Sequence, residues 1–569
     1  MLALPARHHV RSLERQASSA TEGEQISDLS STGKAWAPLR LSLFRWLWLA
    51  VLAANIGGWM QTVGAQWLLV GRPGASTLVS LVQTAEALPI VLLAFPAGVL
   101  ADSFDRRKLL ISVQCFAVAV GVALTWLTIA GAMPPALLLT FTALFGVCAA
   151  LTVPAYQSLI PELVPRAELP AAAALGSISI NLARAVGPAV AGVLIARVGV
   201  GAVFGVNAAS YLVLGLVLVW WRRPAASAAE EPERFVPALR AGSRYIRFAP
   251  VVRRILLRSA LFVVPAMAIW ALLPLIASLR LGLGAGGYGL LLGALGVGAV
   301  AAAFALPRLR ASLSANQMLL TASLAYAAVT VAIVAVRSAA VVALVLLIAG
   351  AAWIVVLSNI NATLQLFLPG WVRARGLAVY LMVLFGGQAA GALAWGLVAQ
   401  RVGLVNAFLA AAALMAAGAA SIGRWPYLDI KSMDRAPAVY WPEPDLVFDP
   451  DSHHGPVLVT VTYTVAPARR QRFLQAMQSV RRSRLRTGAT RWELYQDGQE
   501  PDRFVESFTV ASWEEHLRQH TDRLTGSDRA FEEEADRCSD PAPRTSHLFP
   551  TRGTEPPAPR ASEKAPPSA

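Results

Sequence analysis

Long apolar runs broken by short polar corners dominate the first three quarters of this chain. Runs of about 20 mostly apolar residues, the length an α-helix needs to cross a bilayer core, fall near 46–70, 77–101, 109–131, 136–160, 172–196, 201–221, 259–279, 286–306, 316–336, 339–366, 376–400 and 403–423. Twelve membrane-spanning helices are therefore expected, six in 39–222 and six in 259–424, with 223–258 as a central loop and 1–38 as a disordered tail.

After Pro426 the pattern changes. WPEPDLVFDPDSHHG lies in a Pro- and Asp-rich linker, 425–455, and strand-like PVLVTVTYTV is followed by helix-like PARRQRFLQAMQSVRRSRL. Two strand patterns (TRWELYQD, DRFVESFTV), a helical SWEEHLRQHTDRL and a final strand TSHLF complete the order β-α-β-β-α-β, the ferredoxin-like arrangement. The expected fold class is thus an all-α membrane protein with twelve transmembrane helices in two six-helix repeats, plus a small C-terminal α+β ferredoxin-like domain at 456–549 and a disordered tail at 550–569.

Composition fits this division. The chain is 15% charged and 56% hydrophobic, whereas soluble proteins carry about 25% charged residues. Arginines cluster in alternate short loops: Arg106, Arg107 and Lys108; Arg166; nine arginines from Arg222 to Arg258; Arg308 and Arg310; Arg373 and Arg375. Because basic residues of short loops stay on the cytoplasmic side, both termini are expected in the cytoplasm of a multi-pass inner-membrane protein. The same placement explains the net charge of +15 without nucleic acid as a partner. Cys115, Cys148 and Cys538 are isolated, so neither a disulfide framework nor a metal site is expected. No cofactor is implied, and the N-terminal residues lack the pattern of a signal peptide.

The two sets of six resemble each other. QSLIPELVPRAEL (157–169) pairs with QLFLPGWVRARGL (365–377), ARVGV (196–200) with QRVGL (400–404), and VNA at Val206 with VNA at Val405. Each pair is about 200 residues apart, as in transporters built from two parallel repeats with substrate bound between them.

GVLADSFDRRKLLI (98–111) resembles the loop between helices 2 and 3 of the major facilitator superfamily, with Gly98, Leu100, Ala101, Asp102, Arg106 and Arg107 matching. Ser103 and Asp105 stand where the family has a basic residue and a glycine. The resemblance implies that Asp102 caps a helix end and pairs with basic groups to latch one conformation. Arg106 and Arg107 alone are equally well explained as topology signals; an acid is not. Together with FRWLWLAVLAANIGGWMQTVGAQWLL, ALPIVLLAFPAGVLADSFDRR and NLARAVGPAVAG, the loop is similar to the transmembrane secretion effector branch, which includes enterobactin-exporter-like proteins. ARAVGPAVAG also resembles the Gly-Pro motif of fifth-helix antiporters, with Gly187, Pro188 and Gly192 matching and Ala191 in place of a glycine; generic close packing is the alternative.

One departure bears on mechanism. Drug antiporters of the superfamily often carry an arginine in helix 4, four residues before a glycine, and here Thr142 precedes Gly146. Buried charge lies instead at Glu86 in span 2 and Arg184 in span 5. Glu86 is the only carboxylate at mid-membrane depth, where an ionisable group is costly unless paired or protonated. It is therefore the candidate proton site; a static pair with Arg184, or separate structural hydrogen bonds, are the alternatives.

Asn55, Trp59, Gln61 and Gln66 in span 1, Trp270 in span 7, and Trp353, Asn359, Asn361 and Gln365 in span 10 are candidate cavity residues. Aromatic rings and amides suit a large amphipathic ligand; interfacial anchoring and helix-to-helix hydrogen bonds are equally ordinary uses. The expected activity is secondary active export of drug- or siderophore-like molecules in exchange for protons, with an importer or proton-independent facilitator as the alternative. The C-terminal module resembles antibiotic-biosynthesis-monooxygenase-like domains, so a fused cofactor-free oxygenase is a rival to a regulatory or dimerising role. His516 and His520, four apart, have no acid or cysteine partner in sequence and are expected on a solvated helix face.

Overall fold

The computed structural model describes residues 36–221, 245–426 and 455–550, with 446, 448, 450 and 451 between them. The expected tails, most of the central loop and most of the linker lie outside the described residues.

Twelve apolar helices follow in order among the described residues: α1 Ser42–Leu69, α2 Ala75–Ser103, α3 Arg106–Ile129, α4 Pro135–Leu163, α5 Leu169–Arg197, α6 Val200–Trp220, α7 Pro250–Leu275, α8 Ala285–Ser312, α9 Ala315–Ala335, α10 Ala339–Phe367, α11 Gly370–Val402 and α12 Leu404–Ala420. Eleven are long and apolar enough to cross a membrane. The last, at 17 residues, rises about 26 Å before a turn at 421–425. Their outer surfaces are apolar, with Phe304 78% and Trp126 68% exposed, the inverse of a soluble protein and the pattern expected against lipid.

The chain forms two compact units. The first gathers α1–α6 with residues 271–300 and 336–350; α2 packs on α4, α3 on α6, and α1 on both α5 and α6. The second gathers residues 228–270 and 301–335 with everything from 351 onward, and α9 packs on α12 within it.

The sequence repeat is also a backbone repeat. Gly199, between α5 and α6, has φ +107° and Gly403, between α11 and α12, has φ +89°. These are the glycines of ARVGV and QRVGL, and each N-caps the helix that follows. A side chain is strained at such φ values, so glycine is required for the corner. The repeat loosens elsewhere: Pro161 lies inside α4, whereas its counterpart Pro369 N-caps α11.

The C-terminal module has β1 Val457–Thr464, α13 Arg470–Thr487, β2 Arg491–Gln496, β3 Arg503–Val510, α14 Trp513–Arg518, α15 Gly526–Asp536 and β4 Arg544–Leu548. Its sheet is antiparallel in the order β2-β3-β1-β4, the ferredoxin-like order. Alternate residues of β1 (Val457, Val459, Val461, Tyr463) are buried with Phe473, Met477 and Val480 of α13 and with Phe504 and Phe508 of β3. The sequence pattern anticipated these elements except α15. The expectation of a solvated face for His516 and His520 is overturned: they are 1% and 8% exposed. His516 Nε2 lies 3.0 Å from His547 Nε2 on β4, and Trp513 and Phe508 pack around its ring.

Candidate transport pathway

In the first unit, Glu86 faces α1 from α2. Thr62 Oγ1 donates to Glu86 Oε2 at 3.0 Å, and a Cβ at Gly146 of α4 would come within 2.5 Å of the Glu86 carbonyl oxygen. The glycine lets α4 close against the carboxylate's own backbone. Thr142, at the position where drug antiporters carry arginine, is buried and donates to the Leu138 carbonyl at 2.9 Å. Arg184 takes other partners: Asn181 Oδ1 at 3.4 Å and the face of Trp59 at 5.7 Å. The described hydrogen bonds thus give Glu86 and Arg184 separate partners.

The remaining span-1 candidates divide by role. Asn55 Nδ2 donates to Ser179 Oγ of α5 at 3.1 Å, which ties two helices. Gln61 is buried and neither of its side-chain polar atoms has a protein partner. Such an amide is costly in apolar surroundings unless water or ligand meets it. Gln66 accepts from the hydroxyl of Tyr288 on α8, whose ring stacks near Trp67. Sequence reasoning missed Tyr288, because nothing local distinguishes it within the glycine-rich stretch GAGGYGLLLG.

The Gly-Pro motif of α5 meets α8 as a close-packed seam. A Cβ at Gly289 would lie 2.4 Å from the Pro188 carbonyl oxygen, one at Gly192 would lie 2.8 Å from the Ala285 carbonyl oxygen, and one at Gly296 would lie 2.5 Å from Ala185 Cα. A Cβ at Gly187 would meet α1 instead, 2.6 Å from Trp59 Cβ. Small residues at these positions are what allow the backbones to touch.

In the second unit, Trp270 and Trp353 are brought together with ring centroids 5.3 Å apart, and Phe262 and Tyr326 extend the aromatic cluster. Asn359 Nδ2 instead donates to the Ala315 carbonyl at 3.0 Å and knits α10 to α9. Asn361 and the exposed Gln365 bond to each other along α10 at 3.2 Å.

The arginines of the corner between α2 and α3 make specific contacts. Arg106 donates to the Ser158 carbonyl at 3.2 Å and pairs with Glu162 at 2.9 Å, both on α4. Arg107 donates to the carbonyls of Leu218 and Val219 at the end of α6. Cations at helix C-termini satisfy carbonyls that the helix leaves unpaired. Asp105, where the family pattern has glycine, N-caps α3 by accepting from the Lys108 amide. Gly98 and Asp102 lie in the last turns of α2, and the side chain of Asp102 lies outside the described residues. The second repeat uses the same devices: Arg310 donates to the Ser358 carbonyl of α10 at 3.1 Å, and Arg258 donates to carbonyls at the end of α12.

A family profile described as transmembrane secretion effector matches residues 33–552, through the C-terminal module. The staphyloferrin A transporter of Staphylococcus aureus is 26% identical over 224 residues, covering 39% of this chain and 56% of that protein. The multidrug efflux pump Tap of Mycobacterium tuberculosis is 31% identical over 155 residues, 26% of this chain and 37% of that protein. The chain therefore matches only about half, or less, of these relatives' lengths. Among solved structures, a crystallised point mutant of the nucleoside transporter NupG covers 67% of this chain and 99% of its own, with TM-score 0.56 and 12% identity. A D-xylose-proton symporter covers 68% and 99%, with TM-score 0.55 and 13% identity; at such identities the likeness is one of fold. With a profile match across nearly its whole length, this chain belongs to the transmembrane secretion effector family of major facilitator transporters.

Proposed function

We propose that the protein exports small amphipathic molecules of the drug or siderophore class across the cytoplasmic membrane by alternating access, in exchange for protons bound at Glu86. The observation that carries this reading is the setting of Glu86. The one mid-membrane carboxylate accepts a hydrogen bond from a neutral hydroxyl, and Arg184 has other partners. A carboxylate without a fixed countercharge is free to exchange a proton as its surroundings change. In the first unit Trp59 and the unpartnered Gln61, and in the second unit the Trp270–Trp353 pair, are aromatic and amide groups suited to an amphipathic cargo. The names of two relatives, a staphyloferrin A transporter and a multidrug efflux pump, support the cargo class. Export is supported by the efflux relative and by the Gly-Pro seam; the alternating arginine loops support cytoplasmic termini.

The C-terminal module is read as regulatory or dimerising. Its interior between sheet and helices is occupied by Phe473, Phe504 and the Arg484–Glu506 ion pair, and the open face of its sheet presents Thr460, Thr462, Ser507 and Thr509 for a partner. Transport in inverted membrane vesicles, with and without an imposed proton gradient, tests the main reading against a panel of siderophores and amphipathic drugs. Gradient-dependent accumulation is expected. Accumulation unchanged when the gradient is collapsed would refute proton exchange.

A further inference from the structure

At the junction of the C-terminal module with the membrane helices, α13 and α15 face the first residues of α7 and the corner between α10 and α11 across a cavity of about 430 Å3. That volume lies in the range of small-molecule sites, roughly 300–1,000 Å3. Part of the wall is apolar, carried by Phe248, Phe367 and Phe531.

The polar part of the wall holds three guanidinium groups, and they are not equivalent. Arg486 is paired with the buried Asp528, which also takes bonds from Ser483 and Thr525. Arg523 meets both carboxylate oxygens of Glu515, at 2.7 and 2.9 Å, and stacks 4.8 Å over Trp371. Arg482 makes only neutral contacts, with the Gln478 carbonyl at 3.2 Å and Ser479 Oγ at 3.1 Å. Among the described residues no carboxylate lies within ion-pair distance of it. The one acid in the wall, Asp528, is thus already matched, as is Arg523 by Glu515 behind it, and one positive charge beside a hydroxyl is left over at the edge of an aromatic cavity. A charge-assisted bond to an anion is the interaction this arrangement still has to offer.

We propose that this cavity binds an amphipathic monoanion, its anionic head on Arg482 and Ser479 and its apolar body against Phe248, Phe367 and Phe531. An occupant touches α7 and α10 on one side and the module on the other, so it joins the soluble module to the membrane helices. A soluble aromatic carboxylate and an acidic lipid share this chemistry. The site is separate from the cargo pathway and does not depend on it.

The test uses the full-length protein in phosphatidylcholine nanodiscs, titrated with the fluorescent aromatic carboxylate dansylglycine and, as a charge control, with neutral dansylamide. Saturable one-to-one binding of dansylglycine is expected, weakened at least tenfold by Arg482→Ala and blocked by Ser527→Trp, which fills the cavity. Arg481→Ala removes a neighbouring cation that lies over Trp492, away from the cavity, and should leave affinity unchanged. In nanodiscs containing phosphatidylglycerol, competition would identify an acidic lipid as the natural occupant and unchanged affinity would identify a soluble anion; either result upholds the site. Equal affinity for dansylamide, equal losses in the two arginine variants, or no saturable binding would overturn the proposal.

Discussion

The phenol of Tyr288, on the second helix of the second repeat, donates its proton to the side-chain oxygen of Gln66, on the first helix of the first repeat. Both side chains are fully buried, so the bond joins the two repeats at a place closed to water. Alternating access requires that such a contact break once in every cycle, which makes it a latch in the proposed mechanism.

Tyr288→Phe keeps the ring against Trp67 and removes only the donor. The loss is expected to be about 1 kcal/mol, the usual net worth of such a bond inside a membrane protein. That is about a fivefold shift in the equilibrium between joined and parted helices. A cysteine introduced at Gly286, where a Cβ makes only ordinary contact, reports it: thiol labelling in a Cys115→Ser background should quicken about fivefold. An unchanged labelling rate would mean that the bond does not govern the opening.

The seam between α5 and α8 leads to a contrast between two glycines. Gly289→Ala forces a methyl against the Pro188 carbonyl, with backbone on both sides, and overpacking of this kind costs about 1–3 kcal/mol. Gly176→Ala on α5 meets nothing within 4 Å, and alanine's better helix propensity makes it neutral or slightly stabilising. Thermal unfolding of the detergent-solubilised protein should separate the two variants by several degrees, with transport impaired only in Gly289→Ala. Equal melting temperatures would show that the helices part at little cost.

Much of this architecture could be read in the chain because the bilayer imposes it. A lipid-exposed backbone must satisfy itself, so every apolar run of sufficient length had to be a helix, and the glycines of ARVGV and QRVGL marked equivalent corners. The contacts that join helices were not legible. Tyr288 and Gln66 are 222 positions apart, and the matching bonds of Arg106 to Ser158 and Arg310 to Ser358 span 52 and 48 positions. In the module, α15 was hidden by its acid-rich composition, although Thr525 and Asp528 form a capping box at its start. His516 and His520 looked solvated because Glu514, Glu515 and Arg518 surround them in sequence. Trp513, Phe508 and His547 surround His516 in the fold, and the His516 ring in turn packs edge-on against His520.

The burial of those histidines gives the module a pH dependence. Desolvation, reinforced by His547, holds His516 down to about 3; desolvation, reinforced by His516, holds His520 down to about 2. In the unfolded chain both return to about 6.5. Below that value the unfolded state takes up protons that the native state refuses, so stability is full above pH 6.5 and falls as pH drops toward 3. The slope approaches about 1.4 kcal/mol per pH unit for each histidine. Hydrogen exchange of the full-length protein should show α14 and β4 opening more readily at pH 5 than at pH 7.5, after correction for intrinsic exchange rates. His516→Gln should flatten that difference, and a difference of the same size in the variant would refute the linkage.

Glu86→Gln is the decisive substitution for coupling. Glutamine keeps the shape of the side chain and still offers an oxygen to Thr62, so the fold around α1, α2 and α4 should survive. What it cannot do is take up and release a proton. Proton-driven accumulation in inverted vesicles should therefore fall at least tenfold, while downhill flux of the same substrate persists and loses its pH dependence. Glu86→Asp retains a titratable carboxylate, withdrawn by one methylene, and should recover part of the coupled transport. Arg184→Gln discriminates the static-pair alternative: with Arg184 held by Asn181 and Trp59, its loss should leave the pH profile in place even if the rate declines. If Arg184→Gln abolished the pH dependence as fully as Glu86→Gln, the two side chains would have to act as a pair in some state of the cycle, and proton binding could not be assigned to the carboxylate alone. If Glu86→Gln left the pH profile untouched, Glu86 would be a structural acceptor for Thr62 and nothing more.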